Sequence, residues 1–293
     1  MNTHTINFCT AGGKLSLLLA VVMMAVAVPS KADLLSARIA MEDQANPLLL
    51  VTTSAGPIYL ELFPAEAPTN VSNFIAIAEG NIDTFDDMEN RGFTPGYYEG
   101  VPFHRVIPGF VIQAGSYLLH PLGRPNQLLN DEINASALGL DREPILSVDG
   151  SVNPMLNVGN QTEFADRILQ PLYAQRNIDT LSELTEQQYD VAEDLQALTV
   201  MRLYEIEGYQ YQNQFPGRGI SRGTLALAND GPNRNGPEFF IALRDAEWLS
   251  GRYTVIGKVV EGMEIADQIG ASAVNPLQAG SANTVIYSVR RMN

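Results

Sequence analysis

The stretch Phe103-His-Arg-Val-Ile-Pro-Gly-Phe-Val-Ile-Gln-Ala-Gly115 decides the reading of this chain. Two short apolar runs flank Ile107-Pro108-Gly109, which has the Pro-then-Gly order of a tight reversal, so the stretch predicts two antiparallel strands. Alternation along the first run groups Phe103 with Arg105 on one face. Along the second it groups Val111, Gln113 and Gly115. A guanidinium and an amide then meet among aromatic and aliphatic side chains, the usual makeup of a small-ligand or peptide cleft.

A second segment has the same character. Gly223 to Asn229 reads as a strand running into the loop 230–237, and Glu238-Phe-Phe-Ile-Ala-Leu243 reads as another strand. Trp248-Leu-Ser-Gly-Arg-Tyr253 follows, ahead of the β-rich run Thr254 to Val260. Upstream, Leu48–Thr53 and Ile58–Phe63 bracket Ser54-Ala-Gly-Pro57, a hairpin signal. Pro68-Thr69 opens a helical pattern in which Thr69 is the expected N-cap. Val71, Phe74, Ile75 and Ala78 form its apolar stripe, and Gly80 ends it.

Four blocks in order, GPIYLELFPAEAPTNVSNFIAIAEG, FHRVIPGFVIQAG, LALANDGPNRNGPEFFIAL and EWLSGRYTVIGKVVEGME, resemble the cyclophilin family of peptidyl-prolyl cis/trans isomerases. They fall within residues 47–135 and 216–290. The resemblance implies a mainly β fold: a closed eight-stranded barrel with two flanking helices, the second near Glu261 to Ile269. It implies catalysis by Arg105 with Gln113 on the carbonyl side, and a proline pocket of Phe110, Val111, Phe240 and Leu249. By the same resemblance Asn229 holds peptide backbone, Ala228 and Trp248 flank the groove, and Tyr253 stands at the rim where many members have His. Trp248 matches the position associated with cyclosporin binding, so binding of that drug is expected. Glu238 stands where the family usually has Gln. A carboxylate reaching Arg105 would either lock the guanidinium or compete with substrate for its donors, and the expected result is reduced but present activity. His104 is read as structural, because amide rotation needs no proton transfer.

Composition narrows the alternatives. The chain has 293 residues and an apolar fraction of 45%, enough for a proper core. Lys14, the apolar run Leu15–Val28 and Pro29-Ser-Lys-Ala32 read as a secretory signal peptide over residues 1–32. This predicts a periplasmic or secreted protein without stable membrane insertion after cleavage. The single cysteine, Cys9, lies in that segment, so no disulfide, thiolate nucleophile or thiolate metal site is expected after cleavage. Of three histidines, only His104 and His120 lie beyond it, and no metal or cofactor is expected. A net charge of −15 argues against nucleic acid as partner. The expected partners are proline-containing polypeptides.

Residues 33–46 read as a polar lead-in, and 47–140 with 216–291 as the barrel. Residues 141–215 depart from the family pattern and read as an acidic helical insertion, with 13 acidic residues against 4 arginines. Thr185 with Gln188 suits a capping box, and Val191, Leu195, Leu198, Met201 and Tyr204 recur at helical spacing up to Gly208. Phe164, Ile168, Leu169 and Leu172 suggest a shorter helix perturbed by Pro171. Two other readings compete with the isomerase. One is a non-catalytic chaperone or peptide-binding scaffold on the same fold. The other is a hydrolase, for which neither His104 nor His120 has a recognisable triad setting.

Overall fold

The computed structural model describes residues 32–80, 96–120, 128–272 and 283–292. The expected signal segment lies outside them apart from Ala32, and Cys9 with it.

The lead-in is not extended. Helix α1 (Leu34–Ala40) begins at Asp33, whose carboxylate accepts from Ser36 N. Ala37 and Met41 pack on Leu48 and Tyr59. The chain then runs into strands β1 (Leu48–Thr53) and β2 (Pro57–Leu62), joined by the expected hairpin. Glu61 on β2 is fully buried and accepts from Glu42 N, Asp43 N and Asn46 Nδ2, which ties the lead-in to the sheet.

Helix α2 (Pro68–Ala78) follows, with Ala67 rather than Thr69 at its N-cap. Its free N–H groups are met from far along the chain: Glu132 accepts from Thr69 N at 3.0 Å and from Asn70 N at 2.9 Å. A carboxylate at a helix N-terminus satisfies orphan donors and opposes the helix dipole, so no local cap is needed.

Strands β3 (Phe103–Ile107) and β4 (Val111–Ala114) flank the Pro108-Gly109 turn. Gly109 has φ +65°, and Phe110 N donates to Ile107 O across it. Their pairing corrects one expectation. Phe103 pairs with Ala114 and Arg105 with Gln113, so two residues on β3 span a single step on β4. This bulge at His104 breaks the alternation. Phe103 therefore points into the barrel, 1% exposed among Phe74, Tyr98 and Phe239, while Arg105 lies on the outer face.

Residues 141–215 hold four α-helices. Helix α3 (Gln161–Phe164) passes into a π-helical turn (Ala165–Leu169) and then α4 (Gln170–Arg176). The wider turn sits just before Pro171, which has no N–H to donate. Helix α5 (Leu181–Ala197) starts one box earlier than expected: Thr180 and Glu183 form the reciprocal capping box. Thr185 is inside the helix and donates to Leu181 O. The long helix expected through Tyr204 is broken. Leu198 is extended, Ile145 N donates to Leu198 O and Val200 N to Glu143 O, and Thr199 caps α6 (Val200–Ile206). Backbone pairing with residues 143–145 here overrides helical periodicity. Leu172, Ile178 and Val191 form a small core between α4 and α5. A larger one joins Leu140, Ile168, Leu203 and Tyr204.

Strands β5 (Thr224–Leu227), β6 (Phe239–Ala242) and β7 (Val255–Glu261), helix α7 (Met263–Ala271) and strand β8 (Ile286–Met292) complete the described chain. The eight strands form one antiparallel sheet in the order β3-β4-β6-β5-β7-β2-β1-β8. Its two edges meet through the bridge Pro102–Val285, with Phe103 N donating to Thr284 O and Ile286 N to Val101 O. Among the described residues the sheet closes through this bridge and the bond from Gly100 N to Ile286 O, not through a full ladder.

Alternation then divides the strand residues. Ile112, Ala114, Leu225, Leu227, Phe239 and Ile241 fill the interior with Phe74 of α2 and Ile269 of α7. Val111, Ala226, Phe240 and Ala242 stand on the outer face and form a second apolar cluster with Phe63 and Val255. That outer cluster carries the candidate site.

Candidate active site

A cleft of about 300 Å³ opens on the outer face of β3, β4, β6 and β5. Its walls are Arg105, Phe110, Val111, Gln113, Ala228, Asn229, Phe240, Leu249 and Tyr253. Each arrives by a simple route. Arg105 reaches this face because of the bulge, Gln113 and Val111 by alternation on β4, and Phe240 by alternation on β6. Phe110 follows the Pro108-Gly109 turn. Leu249 ends a one-turn 3₁₀ helix (Glu247–Leu249), and Tyr253 sits edge-on to Phe240 with ring centroids 5.3 Å apart. The floor is apolar and the polar groups are few.

Two further candidate residues lie beside the cleft. Trp248 stacks on Phe110, with centroids 5.8 Å apart, and the Arg244 guanidinium lies 5.0 Å from its ring. Trp248 also faces a neighbouring cavity of about 240 Å³ walled by Pro154, Met155, Asp245 and Glu247. Glu238 lies behind Gln113 and makes no ion pair with Arg105; neither alternative raised by the sequence, a direct lock or a direct competitor, takes that form.

Instead the polar groups form a chain. Arg105 Nη1 donates to Gln113 Oε1 at 2.9 Å, Gln113 Nε2 donates to Glu238 Oε1, and His104 Nε2 lies 3.0 Å from that same oxygen. Burial pushes the Glu238 carboxyl up, but hydrogen bonds from His104 and Gln113, the charge of His104 and a bond from Ser116 together outweigh it. The carboxyl ends below the usual glutamate range. Both ends of the Gln113 amide are engaged in this chain. Arg105 is exposed, lines the cleft and takes part in no ion pair among the described residues.

Asn229 is likewise engaged. Its Nδ2 donates to Arg252 O at 3.2 Å and to Asn235 Oδ1 at 3.4 Å, which ties the end of β5 to the loop bearing Leu249 and Tyr253. Its Oδ1 accepts from Gly231 N at 3.4 Å.

Sequence reading missed what steadies that loop. The Arg252 guanidinium lies 5.5 Å from the Tyr204 ring and 5.9 Å from that of Tyr209, with Glu207 Oε2 3.9 Å from Nη2. Gly251, at φ +85°, packs directly under Leu140 and Tyr204, where a Cβ would collide with Leu140 Cδ1. These contacts cross 40 or more residues and leave no local signal. His104, expected to be structural, holds Glu238 in the polar chain behind Arg105. Among the described residues there is no cluster of three or more His, Cys, Asp or Glu side chains suited to a metal, and no helix is long and apolar enough to cross a membrane.

The site is thus an outer-face cleft on an eight-stranded sheet, with the Arg105 guanidinium in its wall beside Phe110, Val111 and Phe240. Comparison with known proteins gives the family. The model for "Cyclophilin type peptidyl-prolyl cis-trans isomerase/CLD" matches residues 48–291, and the chain belongs to that family. Peptidyl-prolyl cis-trans isomerase B of Streptomyces anulatus is 24% identical over 226 residues, 76% of this chain and 83% of that protein. Peptidyl-prolyl cis-trans isomerase-like 1 of Rhizopus delemar is 25% identical over 222 residues, 76% and 79% of the two chains. The chain spans only 24% of a longer human relative, peptidylprolyl isomerase domain and WD repeat-containing protein 1, at 26% identity over 249 residues. A solved cyclophilin type isomerase of Cryptosporidium parvum aligns with 17% identity and a TM-score of 0.47, covering 85% of this chain and 98% of that one.

Proposed function

We propose that this protein accelerates cis/trans rotation of X–Pro bonds in exported polypeptides, with Arg105 stabilising the twisted amide. Amide resonance sets a barrier of about 18–20 kcal/mol, and no bond has to break. On twisting, the proline nitrogen becomes pyramidal and regains its lone pair. A cation aimed at that nitrogen favours the twisted state over either planar one, which is catalysis by differential binding. Arg105 suits this because it stays charged, offers several donors and sits on a strand. The carrying observation is that the Arg105 guanidinium lines the cleft beside Phe110, Val111 and Phe240, bonded to Gln113 and without a carboxylate partner among the described residues.

Arg105 does not supply the whole effect. A 10⁵-fold acceleration corresponds to roughly 7 kcal/mol, and one charged hydrogen bond contributes about 1.5–3 kcal/mol. The rest is assigned to the cleft. Phe110, Val111, Phe240 and Leu249 hold the proline ring in a water-poor slot, so less solvation is lost as the amide twists. Asn229 and the rim residues Ala228 and Tyr253 anchor the flanking peptide. Cyclosporin, in this reading, lies against Trp248 and the same slot.

Export rests on Lys14 and the apolar run Leu15–Val28 followed by Pro29-Ser-Lys-Ala32. Residues 141–215 are read as an insertion whose helices brace the substrate loop through Arg252 and Gly251. The test is exchange NMR on a short X–Pro peptide with wild type and Arg105→Ala, alongside N-terminal sequencing of the protein recovered from the periplasm or medium. Catalysis that survives the substitution would contradict the mechanism. A cellular phenotype that Arg105→Ala still complements would favour the scaffold reading.

A further inference from the structure

We propose that Glu238 is a positioning residue: it fixes the Gln113 amide with its carbonyl toward Arg105, and so sets the guanidinium that faces the proline slot. The inference deepens the isomerase reading and rests on it.

The argument begins with donor and acceptor chemistry. A carboxylate only accepts hydrogen bonds and a guanidinium only donates them, whereas an amide has one end of each kind. Gln113 stands between the two. With Nε2 toward Glu238 and Oε1 toward Arg105 it makes two hydrogen bonds. Turned by half a revolution, it would set acceptor against acceptor and donor against donor. A charged Glu238 therefore permits one amide orientation. A neutral group at the same place, which both donates and accepts, removes that restriction. This is a physical consequence of having a carboxylate, and not a neutral amide, at residue 238.

The carboxylate is itself held. His104 Nε2 approaches Oε1 from β3 at 3.0 Å, and Ser116 bonds it from the segment after β4. Glu238 sits one residue before β6 and two before Phe240, so it shares the outer face with the slot. It is largely buried, with 18% of its side chain exposed, and its bonds are poorly screened by solvent. The charged or titratable groups facing it are His104 from β3, Arg105 through Gln113, and Tyr97 from the segment before β3. Burial, and secondarily the Glu238 charge, pushes the Tyr97 phenol well up, so it is neutral wherever the carboxylate titrates. That carboxyl lies below the usual glutamate range, which keeps the chain intact at neutral pH.

The test uses full-length protein and a short X–Pro peptide, with kcat and KM obtained by exchange NMR, which needs no coupling protease. Wild type, Glu238→Gln, Gln113→Leu and the double variant are compared at pH 7, and wild type and Glu238→Gln are followed from pH 3 to 8 with circular dichroism as the folding control. Glu238→Gln is expected to lower kcat about tenfold at pH 7, the loss of roughly one charge-assisted hydrogen bond, with KM little changed because the apolar slot is intact. Its pH profile should be flat, at the level wild type reaches at its acid end, since both states put a neutral group at residue 238. In the Gln113→Leu background the same substitution should have no further effect. An acid limb that persists in Glu238→Gln would belong to another group and overturn the proposal. So would an undiminished effect of Glu238→Gln when Gln113 is already leucine. A folded wild type inactive on all X–Pro peptides would fail at the isomerase reading, a different result from either.

Discussion

Phe103 and Arg105 are two residues apart on β3 and stand on opposite faces of the sheet, one 1% exposed inside the barrel and the other on the rim of the cleft. The bulge between them lets one short strand serve both the core and the site. Their substitutions should therefore separate cleanly. Phe103→Ala leaves a cavity against Phe239 and is expected to cost about 3–5 kcal/mol in denaturant unfolding. Arg105→Ala should fall within about 0.5 kcal/mol of wild type.

The cap on α2 offers a second check. Glu132 accepts from two N–H groups at the start of that helix and from Asn70 Nδ2. Glu132→Ala should destabilise the protein by about 1–3 kcal/mol, measured by urea unfolding. Retained kcat in the remaining folded protein would show that the loss belongs to the helix and not to the cleft.

Gly251 packs the loop of Leu249 and Tyr253 against Leu140 and Tyr204. At φ +85° any other residue is strained, and a Cβ would run into Leu140 Cδ1, so Leu140 would have to shift. Gly251→Ala should cost about 1–3 kcal/mol and raise KM for an X–Pro peptide, because Leu249 and Tyr253 lie on either side. An unaltered KM in a folded variant would mean that the loop does not transmit the strain.

Acid stability follows from Glu238. Its folded carboxyl lies below the unfolded value, so its stabilising contribution is present at neutral pH and is lost as pH falls through the folded value. The Tm of wild type should exceed that of Glu238→Gln at pH 7, and the gap should close below about pH 4. Thermal scans at several pH values check the sign; a gap that widened on acidification would reverse it.

Trp248 tests the rim. It stacks on Phe110 and stands between the slot and the cavity at Pro154 and Met155. Trp248→Ala is expected to weaken cyclosporin binding at least tenfold, about 1.4 kcal/mol or more, by calorimetry. Wild type that ignores the drug while isomerising X–Pro peptides would remove that part of the account.

Much of this was legible from local signals. The Pro108-Gly109 reversal and the alternation of Val111 with Gln113, and of Phe239 with Phe240, suffice to place most of the cleft. What escaped were features with no local trace. One extra residue at His104 is invisible to a period of two, so Phe103 and Arg105 were grouped together. The partners of Thr69 and Gly251 come from Glu132 and Leu140, far along the chain. Thr180 and Thr185 both head a capping-box pattern, and the sequence does not rank them. The break at Leu198 arises from backbone pairing with Glu143 and Ile145, against the helical period. The family pattern implied that Glu238 belonged to the site, but the intervening Gln113 became visible only in three dimensions.

The most direct measurement is the exchange rate of a cis/trans X–Pro peptide with wild type and with Arg105→Ala at pH 7, both shown to be folded. The account predicts strong acceleration by wild type and a loss of about tenfold or more in kcat/KM for the variant. Equal acceleration by the two proteins would contradict it.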